Sequence, residues 1–272
     1  MRRSRRREDS TLSENDSPWP GSGKLILGMI HLQPLPGTPF HRDGSFEQIL
    51  ATAVGSARAL HAGGADGSLI QTVDRVYPMG EECDPARIAA ISLITAAITQ
   101  ATGPSFQVGV QLMRNAVQAS LAVAKVSGGS FVRAGAIVGA TLTTHGMVEA
   151  DPLAVMAYRK KIDAWNVKII AEVESMHYTW FGGGKTVAQA ARQVGADAVS
   201  LCHPDEDTAL EMIAAVRVAA PGLPVILAGH THHGNAARLL AAAPGGRHAA
   251  DKRRFPLRGS STPKSDCSGL AS

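Results

Sequence analysis

The residue types able to do chemistry in this sequence are a histidine at position 31, two arginines at 114 and 133, a Glu172/Glu174 pair, and a histidine cluster between 230 and 233. His31 ends an apolar run and precedes Leu32-Gln33-Pro34-Leu35-Pro36-Gly37-Thr38-Pro39, a rigid loop. An imidazole there can act as general acid or base near neutral pH, or as a metal ligand. The alternative is a ring that only hydrogen-bonds its loop. Glu172 and Glu174 lie two apart on an extended segment and are expected on one face. With His31, Glu172 and His177 form the candidate catalytic set. Arg114 and Arg133 follow apolar runs and can grip a carboxylate or phosphate bidentately. Either can instead pair with Glu172 or Asp74. Asn115, Gly229 and Asn235 join them as candidate substrate-binding positions.

The stretch Gly229-His230-Thr231-His232-His233-Gly234-Asn235 has two readings. His230, His232 and His233, with His203 and Glu172, can hold a divalent metal. Alternatively, it is a glycine-rich turn presenting backbone N–H groups to a phosphate at a helix start. The spacing is not that of a zinc motif. Gly182-Gly183-Gly184-Lys185-Thr186 resembles the end of a phosphate loop, but no glycine stands where the first one should, so it reads as a loop before a helix.

Elements that position these residues follow from periodicity. Apolar runs at 25–30, 67–72, 106–113, 167–173 and 198–202, with shorter ones at 131–134 and 225–228, read as strands buried on both faces. Helical patterns alternate with them at 45–61, from Asp84-Pro85, and at 116–126, 151–164, 186–194 and 205–219. Glycine-bearing junctions before Asp66, Ser130 and Asp197 recur 64 and 67 residues apart, about two strand–helix units each. Alternation of this kind means right-handed crossovers and a parallel sheet. The loop after the first strand has three prolines in six residues and no GxGxxG, which favours a (β/α)8 TIM-type barrel over a doubly wound sheet. In such a barrel His31, Asp74, Arg114, Asn115, Arg133, Glu172, Glu174, His177, His203 and His230 all fall at or just beyond the strand C-termini that form the mouth.

Composition narrows the function classes. Hydrophobic residues are 44% of the 272, enough for a large core. The net charge of +4 divides into +1 over residues 1–23, +4 over 244–272 and hence −1 over the body, so a nucleic-acid footprint is not expected. Cys83, Cys202 and Cys267 are too few and too scattered for a disulfide framework, and a cytoplasmic location is expected. The Arg-rich N-terminus lacks the apolar stretch of a secretory signal, and no run is long enough to span a bilayer.

The segment Gly28-Met29-Ile30-His31-Leu32-Gln33-Pro34-Leu35-Pro36-Gly37-Thr38-Pro39 resembles the opening signature of the BtpA/SgcQ family. Gly109-Val110-Gln111-Leu112-Met113-Arg114-Asn115, Phe131-Val132-Arg133, Gly146-Met147-Val148-Glu149, Tyr158-Arg159 and Val167-Lys168 support it, over roughly residues 24–240. The resemblance implies a TIM-type barrel, with one branch linked to photosystem I biogenesis and another found with sugar uptake. The polar residues gathered at one barrel mouth, rather than the resemblance, point to an enzyme, or an enzyme-derived binder, of a small phosphorylated or carboxylated metabolite. The alternatives are an assembly factor for a photosynthetic membrane complex, touching the membrane peripherally, or an inactive remnant. Several positions depart from the family pattern: Gln71-Thr72 replaces Glu-Asn, Ala116 replaces Asp, and Arg133-Ala134-Gly135 replaces Arg-Val-Asn. After Leu240 no apolar run follows. The domain is therefore expected to cover 24–243, flanked by a basic disordered tail (1–23) and a frameshifted or disordered one (244–272), with strand eight missing or replaced and the barrel unable to close.

Overall fold

The apolar runs become strands of one sheet in the computed structural model, which describes residues 24–175, 179–232, 234–242 and 247–250. In chain order the elements are β1 (Ile26–Leu32), α1 (Phe46–Ala62), β2 (Gly67–Thr72), α2 (Pro85–Thr102), β3 (Gln107–Gln111), α3 (Val117–Ser127), β4 (Phe131–Ala134), β5 (Ala140–Thr143), β6 (Gly146–Glu149), α4 (Pro152–Lys161), β7 (Lys168–Ser175), β8 (Thr179–Phe181), α5 (Val187–Gln193), β9 (Ala198–Cys202), α6 (Glu206–Ala219), β10 (Val225–Ala228), α7 (Ala236–Ala242) and β11 (Arg247–Ala250). Parallel strands β1, β2, β3, β4, β7, β9, β10 and β11 close into a barrel, as expected for the TIM-type class.

The strands are apolar on both faces because both are covered. Leu27, Met29, Leu69, Phe131, Ile170, Ala198 and Ile226 form an inner cluster filling the barrel. The alternate residues Ile30, Ile70, Val110, Val132, Ile169, Val199 and Leu227 pack beneath the helices. Phe131 is fully buried, a contribution of about 1.5–3 kcal/mol for such a side chain. Its ring lies against Gly109, where any Cβ would overlap it.

Several helix starts follow their local capping residues. Asp84 accepts from Ala86 N ahead of Pro85, Asp205 accepts from Thr208 N, and Thr186 and Gln189 form a reciprocal capping box. Ser45 stands at the α1 N-cap, but its backbone is already helical and its hydroxyl donates to Arg42 O instead. A side-chain cap needs an extended backbone at that residue.

Two features differ from the sequence reading. Strand eight is replaced rather than missing, and the expectation of an open barrel is corrected. The backbone of β11 pairs with β10 on one side and with Ile26, Leu27 and Gly28 of β1 on the other. Ladder pairing needs only backbone N–H and C=O groups, so a short segment without an apolar pattern can close the wall. This strand lies beyond residue 243, where the barrel was expected to end. Secondly, β6, β5 and β8 form a separate antiparallel sheet. It springs from the ends of β4 and β7, hence from the C-terminal mouth. Thr143 pairs with Gly146 across a two-residue turn, Thr144-His145. Among the described residues, no helix is long and apolar enough to cross a membrane.

Candidate functional site

Strand register assembles the mouth. His31 stands beside Gln71, and Gln71 beside Gln111, on three neighbouring strands. His31 Nε2 lies 3.1 Å from Gln71 Oε1. Because an amide oxygen only accepts, the ring nitrogen donates. Gln71 Nε2 in turn donates to Met113 Sδ at 3.0 Å. Further round the wall Arg133 Nη2 lies 3.7 Å from Glu172 Oε2, both side chains nearly buried.

The antiparallel sheet covers this side of the mouth. Thr141 and Thr143 of β5 and Val148 of β6 turn inward and share a cavity with Gln111, Arg114, Gly135 and Glu172. Its volume for a water-sized sphere is about 10 Å³, room for about one water. Three polar atoms here, Arg114 Nε, Arg133 Nε and Gln111 Oε1, are buried with no hydrogen-bond partner among the described residues. Two guanidiniums against one carboxylate leave the group one positive charge in excess.

A buried scaffold holds Arg114. Arg87 pairs with Asp74, donates to Thr72 Oγ1, and donates to Met113 O at 2.9 Å, next to Arg114. Asp74 also accepts the Leu35 N–H of the proline-rich loop at 3.4 Å. Gly37 of that loop, at φ +87°, packs directly on the Asp84 carboxylate, and any side chain there would collide with it. The Arg114 guanidinium stacks on the Tyr77 ring, 5.4 Å from its centroid. Burial pushes the Tyr77 hydroxyl above its ordinary pKa, and it accepts the Asp74 N–H. Sequence reasoning did not single out Arg87, Tyr77, Gln111, Thr141 or Thr143. The one local sign was the alternation around His145-Gly146, a hairpin pattern.

The expected site residues separate into two groups. His31, Arg114, Arg133 and Glu172 come to the mouth. Asn115 sits below it, buried, where Oδ1 accepts Ala136 N–H at 2.8 Å and ties the loop after β4 to the end of β3. A bulge between Glu172 and Glu174 shifts the β7–β9 register, so the period-two argument for one shared face does not run through that pair. His177 lies outside the described residues, as does His233.

On β9 and β10 the polar groups serve their own loops. Asp205 N donates to His203 Nδ1, and Gly234 N donates to His232 Nδ1, each at 3.1 Å. Asn235 Oδ1 accepts His232 N–H while its amide donates to His230 O. His230 and Gly229 both have positive φ, 52° and 92°. The expected divalent-metal set of His203, His230 and His232 is not assembled: among the described residues no three His, Cys, Asp or Glu side chains converge. Cys202 lies at the C-terminal end of β9, and burial, reinforced by the Glu172 charge, pushes its thiol up to about 11. It stays protonated at neutral pH and is a poor nucleophile.

Comparison with known proteins matches the BtpA family profile to residues 22–250. An uncharacterized protein of Archaeoglobus fulgidus is 29% identical over 80% of this chain and 86% of its own length. The photosystem I biogenesis protein BtpA of Synechocystis is 28% identical over 81% of this chain and 77% of its own. Among solved structures, tryptophan synthase from M. tuberculosis superposes with a TM-score of 0.54 at 14% identity, covering 84% of this chain and 83% of that one. The Pyrococcus furiosus tryptophan synthase complex gives 0.53 at 11% identity, covering 84% and 87%. At such identities the likeness concerns the fold alone.

Proposed function

The chain belongs to the BtpA family, and on that premise we propose that its barrel mouth binds a small phosphorylated or carboxylated metabolite, as a cytoplasmic enzyme or a binder derived from one. The observation that carries this reading is that Nε of both Arg114 and Arg133 is buried and has no partner among the described residues, in a mouth where positive charge is in excess. A buried donor without a partner is costly, and an anionic oxygen supplies the acceptor. Gln111 Oε1 and the Thr141 and Thr143 hydroxyls surround the same space and can meet ligand hydroxyls. Glu172 and His31 are the acid–base candidates, Glu172 in the cavity wall and His31 on the neighbouring arc of the mouth.

Calorimetric titration of the full chain with inorganic phosphate, glycerol phosphate and a dicarboxylate tests this. At least one should bind, and Arg114→Met should weaken it at least about tenfold, the loss of a charged hydrogen bond. No binding by any of the three, with no shift in melting temperature, would overturn it. Binding without turnover would favour the derived binder.

A second reading, assembly of a photosynthetic membrane complex, draws on the name of the Synechocystis relative and on the outer face of the β5–β6–β8 sheet. Leu142, Met147 and Phe181 are all exposed there, and apolar clusters at a surface mark contact sites. Retention of the chain by membranes, lost on Leu142→Ser/Phe181→Ser substitution, is the result this reading requires.

A further inference from the structure

The cavity beneath the β5–β6 hairpin has room for about one water, yet it holds the groups that would meet an anion. A metabolite can enter only if the hairpin lifts. The hairpin tip is fastened to a different part of the chain, the loop between β2 and α2. His145 Nε2 donates to Arg75 O at 2.9 Å. The His145 ring meets the Tyr77 ring edge-on, centroids 5.0 Å apart. Met79 Sδ lies over Gly146, where a Cβ would strike it. Arg75 is held at φ +70°, a left-handed conformation uncommon outside glycine, so the carbonyl that takes the His145 bond sits on a backbone the surroundings must restrain.

The foot of the hairpin is anchored differently. Ile137 and Val138 are buried, Trp180 Nε1 donates to Val138 O at 3.0 Å, and Ala150 N donates to Gly139 O across the neck. Gly139, at φ +65°, lies at that neck. Core packing and the β5–β8 ladder thus hold the foot, while among the described residues one hydrogen bond, one ring contact and one thioether contact hold the tip. Local opening concentrates where buried contacts are few.

We infer that the β5–β6 hairpin is a lid over the anion site, latched by His145 to Arg75 and Tyr77, and that closure positions Arg114. Tyr77 makes the connection, because its ring contacts His145 and carries the Arg114 guanidinium. When the latch releases, Tyr77 loses its neighbour and Arg114 is free to meet an incoming anion. When the tip docks, the stack fixes the guanidinium over the cavity. Tyr77 is here a positioning residue and Arg114 the binding one. The inference rests on the proposed anion site, and its test separates the two.

Hydrogen–deuterium exchange is followed in the full-length wild type and in His145→Ala. Residues 140–149 should exchange about fivefold faster in the variant, as expected for losing one hydrogen bond, with β2 and β3 unchanged. In parallel, inorganic phosphate exchange is followed by 31P line shape. Entry should quicken by a similar factor in His145→Ala, and Tyr77→Leu should weaken phosphate binding about two- to fivefold by removing the ring under Arg114. Unchanged exchange at 140–149 would overturn the latch. Faster exchange with unchanged phosphate entry would overturn the lid. If phosphate fails to bind the wild type, the anion-site reading fails, while the exchange arm still decides whether the latch exists.

Discussion

The arc of the mouth from β2 to β7 and the arc from β9 to β10 carry similarly polar residues at strand ends and use them in opposite ways. On the first arc, Gln111, Arg114 and Glu172 turn their side chains into a cavity under a covering sheet, Arg133 lies beside Glu172, and three of their polar atoms have no partner among the described residues. On the second, His203, His232 and Asn235 use their side chains on backbone groups within five residues of themselves. Chemical competence of a side chain therefore does not identify a site. The side chain must also be held by something other than the loop it belongs to, with bonding capacity left over.

If the first arc is a built site, damage to its scaffold should cost most. Replacing Asp74 by Asn leaves the Arg87 charge buried beside a neutral amide. Denaturant unfolding should show a loss of about 3–5 kcal/mol, the range for breaking one partner of a buried pair. A loss below about 1 kcal/mol would show that the pair does not hold this arc. Gly109→Ala comes next: its methyl overlaps the Phe131 ring, and the strain of overpacking should cost about 1–3 kcal/mol in the same measurement.

Glu81 sharpens the comparison through pH. It lies on the loop that bears Tyr77, accepts Gln118 N–H at the start of α3, and is raised from 4.5 to about 7, chiefly by burial. The folded state then holds a proton that the unfolded state releases. Stability from this group is fully present below about pH 4.5 and declines as pH rises through about 7. Melting curves from pH 4.5 to 8 should show this decline in the wild type and a flatter profile in Glu81→Gln. The variant should gain about 1–2 kcal/mol at pH 8, allowing for the part of the carboxyl that water reaches. Parallel profiles would mean the carboxyl is more hydrated than its surroundings suggest.

The smallest effect belongs to the second arc. His203→Ala and His232→Ala each remove one acceptor from an accessible turn, so stability should change by about 0.5 kcal/mol or less. Anion binding at the first arc should not change at all in a phosphate titration. A tenfold loss in either variant would join the two arcs into one site.

Much of the framework was legible without coordinates. The spans 67–72, 131–134, 198–202 and 225–228 match their strands residue for residue, because a strand buried on both faces leaves a continuous apolar run between turn residues. Asp84, Thr186 and Asp205 announce helix starts through short-range bonds that depend only on their own segments. The signature loop stands out in sequence, but its partners Asp74 and Asp84 lie about forty residues or more further along the chain. Closure of the barrel was not legible, since β11 pairs through backbone groups that every residue but proline carries. Nor was the site: whether Arg133 meets Glu172, whether Asn115 holds Ala136, and whether Thr141 covers Gln111 are decided by strand register and by where a hairpin lies down. Local sequence determines what a segment can form, through bonds a few residues long. Only tertiary structure determines which distant segment completes a side chain's hydrogen bonds, because that partner is chosen by the packing of the whole barrel.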